Sequence, residues 1–457
     1  MQTLEPSLDG ELDLSVPGPR GRVLLARQEQ NESNARTYPR RLPVAIASAS
    51  GSYITDVDGR TYIDFLTGAG VLALGHNHPE LVEAASAQLT QFTHGLDFPT
   101  PVREQFKQAQ IDMLPRHLRD DVKVHFCAPT GADAVEAAVK LCKKATGRGG
   151  VIAFQGSYHG ATHGAMSLTS ELHPKEGLQN LLPGVHFTPY AYCHRCPLNL
   201  SPDTCSTNCA ELLANTLHDT HGGVQRPAAI IIELVQGEGG AIPAPRPFVH
   251  RVARVARELD IPLIVDEVQA GCGRTGTWFS FEQYDITPDV IVMSKGLSGL
   301  GLPVAIMMYR KHLDRWAPGS HVGTFRGNNV AFASGLAYLK VLKRDNILEN
   351  VRTQGEYLLT HLAKLKESTS LIADVRGRGL MLGMEMKGHT RAAVTATELA
   401  RRFQRAALRR GLILELGGRD DCVVRLLPPL NLSRVTADEA LTIIGEAVKS
   451  VESELGL

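Results

Sequence analysis

Two apolar runs of the sequence are each followed by side chains that can take part in chemistry. Ile261–Val265 ends in the carboxylates Asp266 and Glu267, and Asp289–Met293 is followed within two residues by Lys295. An amine that is partly removed from water at a sheet edge has a lowered pKa and is a competent nucleophile toward carbonyl groups. A carboxylate at the same edge can hold a protonated ring nitrogen through a charge-assisted hydrogen bond.

A Schiff-base lysine and an acid that pairs with a pyridinium nitrogen are the minimal requirements of pyridoxal phosphate. Lys295 and Asp266 meet both requirements if their strands are neighbours in one sheet. A surface salt bridge between two loop ends explains the same spacing equally well. The pair alone therefore does not decide between the two interpretations.

A third segment is suited to bind a phosphate. The apolar run Val122–Cys127 is followed by Thr130, Gly131 and Asp133, and then by an apolar stripe at helical spacing. We expect Thr130 to cap this helix, with Asp133 three residues on as in a capping box. The free N–H groups of a helix N-terminus attract anions, although an ordinary capped helix would look the same. The spacing is neither that of a P-loop nor that of a dinucleotide fingerprint.

Four further residues are candidates for the same site. Tyr158 and His159 follow a predicted strand, where an aromatic ring could stack on a flat cofactor or simply pack. Glu238 lies in a glycine-rich segment after another predicted strand, and Arg425 lies inside an apolar run. A buried arginine is usually paired, and a carboxylate is its natural bidentate partner.

The elements that must position these residues follow an alternating rhythm. Two alternating runs around Asp58-Gly59 predict a β-hairpin within residues 52–65. Short apolar runs then alternate with helical patterns, which predicts βαβ units and a mostly parallel sheet. These runs are Val122–Cys127, Gly150–Phe154, Ala228–Ile232, Ile261–Val265, Asp289–Met293 and Pro303–Met308. Ligands of such sheets bind outside the carboxyl ends of the strands, which is where the candidate residues fall.

Composition excludes several classes of protein. The 457 residues contain 48 Lys and Arg against 48 Asp and Glu, so a basic nucleic-acid-binding surface is not expected. Hydrophobic residues at 43% are enough for a sizeable core. No apolar run reaches the roughly 18 residues of a membrane span, and the N-terminal residues do not have the pattern of a secretory signal. We therefore expect a soluble, cytoplasmic globular protein that binds neither nucleic acid nor membrane.

Taken together and in this order, the motifs resemble those of the class III aminotransferases, which use pyridoxal phosphate. The resemblance covers essentially residues 40–450. The motifs that carry it are Gly75-His76-Asn77-His78-Pro79, Thr130-Gly131-Ala132-Asp133-Ala134-Val135-Glu136, Gly156-Ser157-Tyr158-His159-Gly160, Gln236-Gly237-Glu238-Gly239-Gly240, Asp266-Glu267-Val268-Gln269-Ala270-Gly271, Ser294-Lys295-Gly296, Gly323-Thr324-Phe325 and Arg425-Leu426-Leu427-Pro428-Pro429.

The resemblance implies the α/β fold of fold type I pyridoxal-phosphate-dependent transferases, which is the fold of aspartate aminotransferase. It implies an N-terminal arm over residues 1–45, a large cofactor-binding domain over 91–334 and a discontinuous small domain over 46–90 and 335–457. It also implies a homodimer, or a dimer of dimers, in which each site is built from two subunits.

The resemblance also assigns residue roles. Lys295 would form the Schiff base and shuttle a proton, and Asp266 would pair with the ring nitrogen. The other residues implied to bind the cofactor are Gly131, Ala132, Tyr158, His159, Gln269 and, from the other subunit, Thr324. Arg425 would bind the α-carboxylate of glutamate, and Glu238 would neutralise Arg425 when a terminal amine is the substrate.

One departure bears on the substrate. Several relatives that act on ornithine, acetylornithine or 4-aminobutyrate carry a carboxylate-binding arginine where this chain has Ala161, so these substrates are less expected. The sequence of residues 65–78 and 190–197 instead resembles that of the diaminobutyrate–2-oxoglutarate aminotransferases. That branch moves an amino group from L-glutamate to L-aspartate 4-semialdehyde and gives L-2,4-diaminobutyrate and 2-oxoglutarate.

Other functions stay open at this point. A class III aminotransferase for another diamine or amino acid fits the same motifs, and so does a racemase or an aminomutase of the same fold. A binding or scaffold protein that kept the fold without catalysis is a further alternative, which the retention of both Lys295 and Asp266 disfavours.

Four of the eight cysteines lie close together in the sequence. Cys193, Cys196, Cys205 and Cys209 have outer pairs at zinc-ligand spacing, but the middle gap is shorter than in common zinc ribbons. We expect reduced thiols and no bound metal, because disulfides are rare in the cytosol.

Overall fold

The computed structural model describes residues 16–457. The first 15 residues of the predicted N-terminal arm lie outside the described residues. The remainder of the arm forms helices α1 (Pro19–Asn31) and α2 (Tyr38–Arg41). Asp58 accepts hydrogen bonds from the backbone N–H groups of Arg20 and Gly21, both at 2.8 Å, so the start of α1 is held by the chain's own hairpin.

The predicted hairpin is confirmed. Strands β1 (Ile46–Ser50), β2 (Tyr53–Asp56) and β3 (Thr61–Asp64) form an antiparallel meander in which Asp58-Gly59 lies in the turn between β2 and β3. Four helical segments lead from this meander to the central sheet: α3 (Thr67–Gly70), α4 (Pro79–Leu89), α5 (Pro101–Met113) and α6 (Arg116–Arg119).

The core of the molecule is a seven-stranded sheet. Its strands are β4 (Val122–Phe126), β5 (Val151–Phe154), β6 (Val185–Thr188), β7 (Ala229–Ile232), β10 (Leu263–Asp266), β11 (Val290–Met293) and β12 (Ile306–Arg310). The spatial order is β4-β12-β11-β10-β7-β5-β6, and β12 alone runs against its neighbours. A mostly parallel sheet was predicted and is confirmed. β8 (Val235–Gln236) and β9 (Ile242–Pro243) form a separate two-stranded ribbon.

Helices cover both faces of this sheet, as a parallel sheet requires. They are α7 (Gly131–Thr146), α8 (His163–Leu168), α9 (Asn208–His218) and α10 (Arg246–Glu258). Ala138, Leu141 and Cys142 of α7 are fully buried in one cluster with Val290 and Val292 of β11. The apolar stripe on α10 is buried against the opposite side of the core.

The C-terminal part adds a second α/β layer. Helices α11 (Asn329–Arg344) and α12 (Ile347–Glu367) lead to a four-stranded antiparallel sheet of order β13-β14-β17-β16. The elements of this layer are β13 (Ile372–Arg378), β14 (Met381–Met386), α13 (Ala396–Arg409), β15 (Leu412–Ile413), β16 (Glu415–Gly417), β17 (Val423–Leu426) and α14 (Arg434–Leu455). β15 pairs with β3, which ties the C-terminal part to the N-terminal meander. The division into domains at 46–90, 91–334 and 335–457 stays a prediction.

Within residues 16–457, none of the helices combines the length and the hydropathy that crossing a bilayer demands.

Candidate active site

The carboxyl ends of β5, β7, β10 and β11 meet the N-terminus of α7 at a cavity of about 230 Å³. Its walls bring together most of the residues that the sequence singled out. The lining residues are Thr130, Gly131, Ala132, Tyr158, His159, Gly160, Ala161, Glu233, Glu238, Asp266, Val268, Gln269 and Lys295.

A larger cavity of about 390 Å³ opens at the amino ends of the same strands, where Arg148, Arg257 and Asp260 are among the lining residues. Ligands of open α/β sheets bind at the carboxyl ends of the strands. The smaller cavity is therefore the candidate active site.

Lys295 lies two residues beyond the end of β11. Its φ of +32° is unusual for a residue with a side chain, and such strained backbone is concentrated at functional sites. Burial lowers the pKa of the Lys295 amine below its ordinary value, although the nearby carboxylate of Glu238 acts in the opposite direction. A neutral amine is thereby easier to reach at physiological pH, and it is the neutral amine that attacks a carbonyl carbon.

Asp266 is the last residue of β10 and is 4% exposed. Its Oδ2 lies 2.7 Å from Nδ1 of His159, and its Oδ1 accepts a hydrogen bond of 3.0 Å from the N–H of Val268. Burial alone would lower the pKa of His159, but the hydrogen bond and charge of Asp266 raise it above the ordinary value. This buried hydrogen bond fixes the orientation of the Asp266 carboxylate.

Helix α7 begins at the cavity as predicted. The Thr130 side chain accepts a hydrogen bond of 3.1 Å from the N–H of Asp133, so Thr130 is the N-cap. The expected capping box is wrong, because the Asp133 carboxylate accepts from the N–H of Ala128 instead of that of Thr130. A Cβ at Gly131 would lie 2.8 Å from Val268, so glycine is required there by the close packing of the Val268 side chain.

Tyr158 is held in the cavity wall through its backbone. Its N–H donates to Glu233 at 3.0 Å, and the other oxygen of Glu233 accepts from the N–H of Gly237 at 2.9 Å. Burial raises the pKa of Glu233 to about 7, with the charge of His159 opposing the shift. Sequence reasoning missed Glu233, whose position directly after a buried strand was the available signal.

Glu238 in the cavity wall forms an ion pair with Arg425, which does not itself line the cavity. Oε1 of Glu238 is 2.9 Å from Nη1 of Arg425, whose side chain is 1% exposed. Burial favours the neutral acid, but Arg425 and Lys295 hold the pKa of Glu238 below its ordinary value. The expected carboxylate partner of Arg425 is present. A second one, Glu415, accepts a hydrogen bond from Nη2 of the same guanidinium.

Sequence reasoning did not single out Glu415. It interrupts the apolar run Leu412–Leu416 as Arg425 interrupts its own run, and that pattern was the signal available for a buried pair.

Ala161, where several relatives carry an arginine, lines the cavity, whereas Thr324 lies apart from it. Thr324 is exposed in a short 3₁₀ turn (Thr324–Gly327) and does not belong to the lining of its own protomer's cavity.

All eight cysteines are free thiols, and Cys193 is exposed while Cys209 is buried. Across the described part of the chain, no three side chains of the His, Cys, Asp or Glu types are grouped so that they could hold a metal ion.

Comparison with known proteins agrees with this geometry. Residues 34–448 match the profile of aminotransferase class III. The chain belongs to the class III aminotransferase family. It is 49% identical over 426 residues to a diaminobutyrate–2-oxoglutarate aminotransferase from Rhizobium meliloti, covering 91% of this chain and 90% of the relative. It is 43% identical over 432 residues to the protein of the same name from Haemophilus influenzae, covering 93% and 94%.

Among solved structures, an amine transaminase from an uncultivated Pseudomonas species, bound to its cofactor, superposes with a TM-score of 0.83 at 26% identity. The alignment covers 92% of this chain and 98% of that one. The fold type expected from the motifs is therefore confirmed. The protein is a pyridoxal-phosphate-dependent aminotransferase.

The side chains of the cavity fit this cofactor. The amine of Lys295, whose pKa is lowered, suits the cofactor's aldehyde, and the fixed carboxylate of Asp266 suits its ring nitrogen. The aromatic ring of Tyr158 suits the ring face, and the N-terminus of α7 suits the phosphate. Two buried atoms at the site, Nε2 of His159 and Oε1 of Gln269, have no hydrogen-bond partner within residues 16–457. Buried polar atoms are normally satisfied, so unpartnered ones at a cavity are consistent with a bound group.

Proposed function

We propose that the protein transfers an amino group between the L-glutamate/2-oxoglutarate pair and a terminal amine, and that the second pair is L-2,4-diaminobutyrate and L-aspartate 4-semialdehyde. The observation that carries this proposal is the ion pair between Glu238 and the buried Arg425, close to Lys295. It gives one cavity two states, one that accepts a carboxylate and one that does not.

When bound, pyridoxal phosphate supplies the aldehyde and the electron-withdrawing ring on which an amino group is exchanged. In this proposal Lys295 Nζ would hold the cofactor and would move the proton at the carbon that bears the amino group. Asp266, oriented by His159, would keep the ring nitrogen protonated. Tyr158 would lie at the ring face, and Gln269 would lie near the ring hydroxyl.

The phosphate is assigned to the start of α7, where the N–H groups of Gly131 and Ala132 are not used by the helix itself. Gly160 supports this arrangement. A Cβ there would lie 2.5 Å from the Ala132 side chain, and the φ of +126° also favours glycine. The backbone around residue 160 therefore lies close against the first turn of α7.

Substrate discrimination is assigned to Arg425. When L-glutamate binds, its α-carboxylate replaces Glu238 on the guanidinium, because a planar guanidinium binds carboxylates in a fixed geometry. When the terminal amine of diaminobutyrate binds, Glu238 stays on Arg425 and occupies the position that a substrate carboxylate would otherwise take.

Two observations favour diaminobutyrate over longer amino acids with a distal carboxylate. Ala161 offers no cation to a carboxylate, and both relatives named above are diaminobutyrate–2-oxoglutarate aminotransferases. The direction that produces diaminobutyrate is part of the proposal.

We further propose a homodimer in which Thr324 of each subunit completes the other's phosphate site. Exposed apolar side chains lie close to Thr324 in the sequence, namely Val322 at 63% and Phe325 at 67% exposure, and Phe98 is 69% exposed in a second segment. The segments around residues 94–98 and 323–327 are joined, since the N–H of Gly95 donates to the carbonyl of Gly327 at 2.9 Å. Exposed apolar side chains on two joined segments are consistent with a protein interface.

The test is a screen of amino donors against 2-oxoglutarate, with terminal diamino acids of graded length, for the wild-type protein and Arg425→Ala. We expect diaminobutyrate to be the best donor. Arg425→Ala should reduce kcat/KM for glutamate by at least about a hundredfold, and that for diaminobutyrate by far less. Equal losses for both substrates would contradict the assignment of Arg425.

A further inference from the structure

Arg425 has two carboxylate partners, although a substrate carboxylate needs to replace only one of them. Glu238 is 2.9 Å from Nη1, and Glu415 accepts a hydrogen bond from Nη2. The three side chains together carry one net negative charge, in surroundings where Arg425 is 1% exposed. Charges in such a place act strongly on one another, because water screens them poorly.

Glu415 is held more firmly than Glu238. It lies on β16 directly opposite Arg425 of β17 in an antiparallel pair, so the backbone presents both side chains to the same face. Its side chain is 10% exposed, and the hydroxyl of Tyr38 donates to its Oε1 at 3.0 Å. Tyr38 belongs to α2, so the N-terminal segment contributes to this contact.

Glu238 is held more loosely. It lies in the loop between β8 and β9, and its side chain is 30% exposed. Although Nη1 of Arg425 is close, its N–H finds no aligned acceptor among the described residues. Within residues 16–457, the only hydrogen bond to the Glu238 carboxylate comes from Gln269 Nε2, at a long 3.4 Å.

We propose that Glu415 is a permanent second carboxylate on Arg425 and a positioning residue for substrate specificity. It keeps the guanidinium oriented while Glu238 leaves, and its fixed charge lowers the affinity of Arg425 for substrate carboxylates. The site can then release glutamate or 2-oxoglutarate readily and return to the state that accepts an amine. This inference rests on the proposed function, in which Arg425 binds the α-carboxylate.

The first test measures binding of glutarate, a dicarboxylate without an amino group, to the holoenzyme by calorimetry. Glu415→Gln keeps the shape of the side chain and removes its charge, so the Kd of glutarate should fall by about tenfold. Glu398→Gln is the matched control, because it removes one charge from an exposed pair on α13 and should leave the Kd unchanged. An unchanged or higher Kd in a folded Glu415→Gln protein overturns the inference.

Binding of glutarate to Arg425→Ala distinguishes a failure of the proposed function from a failure of the role of Glu415. If glutarate binds wild type and Arg425→Ala equally well, the proposed function itself fails. If Arg425→Ala loses binding but Glu415→Gln binds like wild type, only the role of Glu415 fails.

A crystal structure of the wild-type holoenzyme with glutarate tests the same inference without a variant. We expect the ligand carboxylate on Nη1 of Arg425, Glu238 turned away, and Glu415 still on Nη2 with Tyr38 in place. Displacement of Glu415, alone or together with Glu238, would contradict the inference.

Discussion

At the residue scale, two neighbouring carboxylates at the end of β10 face different surroundings. Asp266 contacts His159 in the cavity, whereas Glu267 is 0% exposed and accepts hydrogen bonds from the N–H groups of Ser280 and Phe281. The Ser280 hydroxyl completes the set at 2.8 Å. Adjacent residues of a strand point to opposite sides, so one carboxylate is available for chemistry and the other stabilises a loop.

Replacing Asp266 by alanine should affect the reaction more than cofactor binding. The lost charge-assisted hydrogen bond to the ring nitrogen predicts a fall in kcat of about a hundredfold, while the cofactor keeps its attachment at Lys295 and its phosphate contacts. Steady-state kinetics and cofactor titration of the same preparation check this. A loss of cofactor affinity that matches the loss of kcat would show that Asp266 serves binding instead.

The buried Glu267 carboxyl should make the free energy of unfolding depend on pH. Burial raises its pKa from 4.5 to about 7, so its contribution to the free energy of unfolding is complete below pH 4.5 and is lost as the pH rises through 7. Between pH 5 and 8 the free energy of unfolding of the wild-type protein should therefore fall by about 2–3 kcal/mol more than that of Glu267→Gln, because the glutamine amide does not ionise.

Urea unfolding at a series of pH values measures this difference. Glu267→Gln should be the less stable protein at pH 5, because its amide nitrogen cannot accept the hydrogen bonds that the carboxyl accepts. Parallel curves for the two proteins would show that Glu267 does not titrate in this range.

At the element scale, the sequence predicted six of the seven central strands, because most of them are short runs of β-branched and apolar residues between polar segments. Their order in the sheet was not predicted, but parallel strands present their carboxyl ends at one edge. The sequence alone could therefore predict that Lys295, Asp266 and Tyr158 lie at the same edge.

Strands that form only because they pair with a distant segment could not be predicted in the same way. β6 was missed because Val185–Thr188 is half exposed at the edge of the sheet, and β15 has only two residues, which pair with the distant β3. The partner of the Asp133 carboxylate and the second carboxylate on Arg425 depend on side-chain directions, which periodicity does not specify.

The cap of α7 predicts a difference between two similar substitutions. Thr130→Ala and Thr395→Ala each remove an N-cap hydrogen bond, to Asp133 N–H and Glu398 N–H respectively, and each should cost about 1 kcal/mol of stability. Only Thr130→Ala should also weaken cofactor binding, by several-fold, because Thr130 lines the cavity. Cofactor titration of the two variants distinguishes this result from equal affinities, which would place the phosphate elsewhere.

At the scale of the whole molecule, the proposed homodimer would complete the cofactor site of each subunit with Thr324 of the other. Thr324 is exposed beside apolar side chains that a monomer would have to leave in water. Burial of such side chains contributes about 25 cal/mol for each Å² of apolar surface. Association and completion of the site are therefore expected to be linked.

Phe325→Asp should shift the protein toward monomer and release cofactor, because a charge is placed in the proposed interface. Val435→Asp is the matched control, since Val435 is equally exposed, at 66%, but lies at the start of α14. Sedimentation velocity with absorbance of the bound cofactor follows both properties at once. A Phe325→Asp dimer with full cofactor content would argue that the interface lies on another face.

The most direct measurement locates the lysine that carries the cofactor. The holoenzyme is reduced with borohydride and digested, and the labelled peptide is sequenced by mass spectrometry. We expect one label, on Lys295, and no label after Lys295→Ala. A label on any other lysine of the wild-type protein, or an unlabelled Lys295 in a protein that retains its cofactor, would contradict the assignment of Lys295 as the Schiff-base residue.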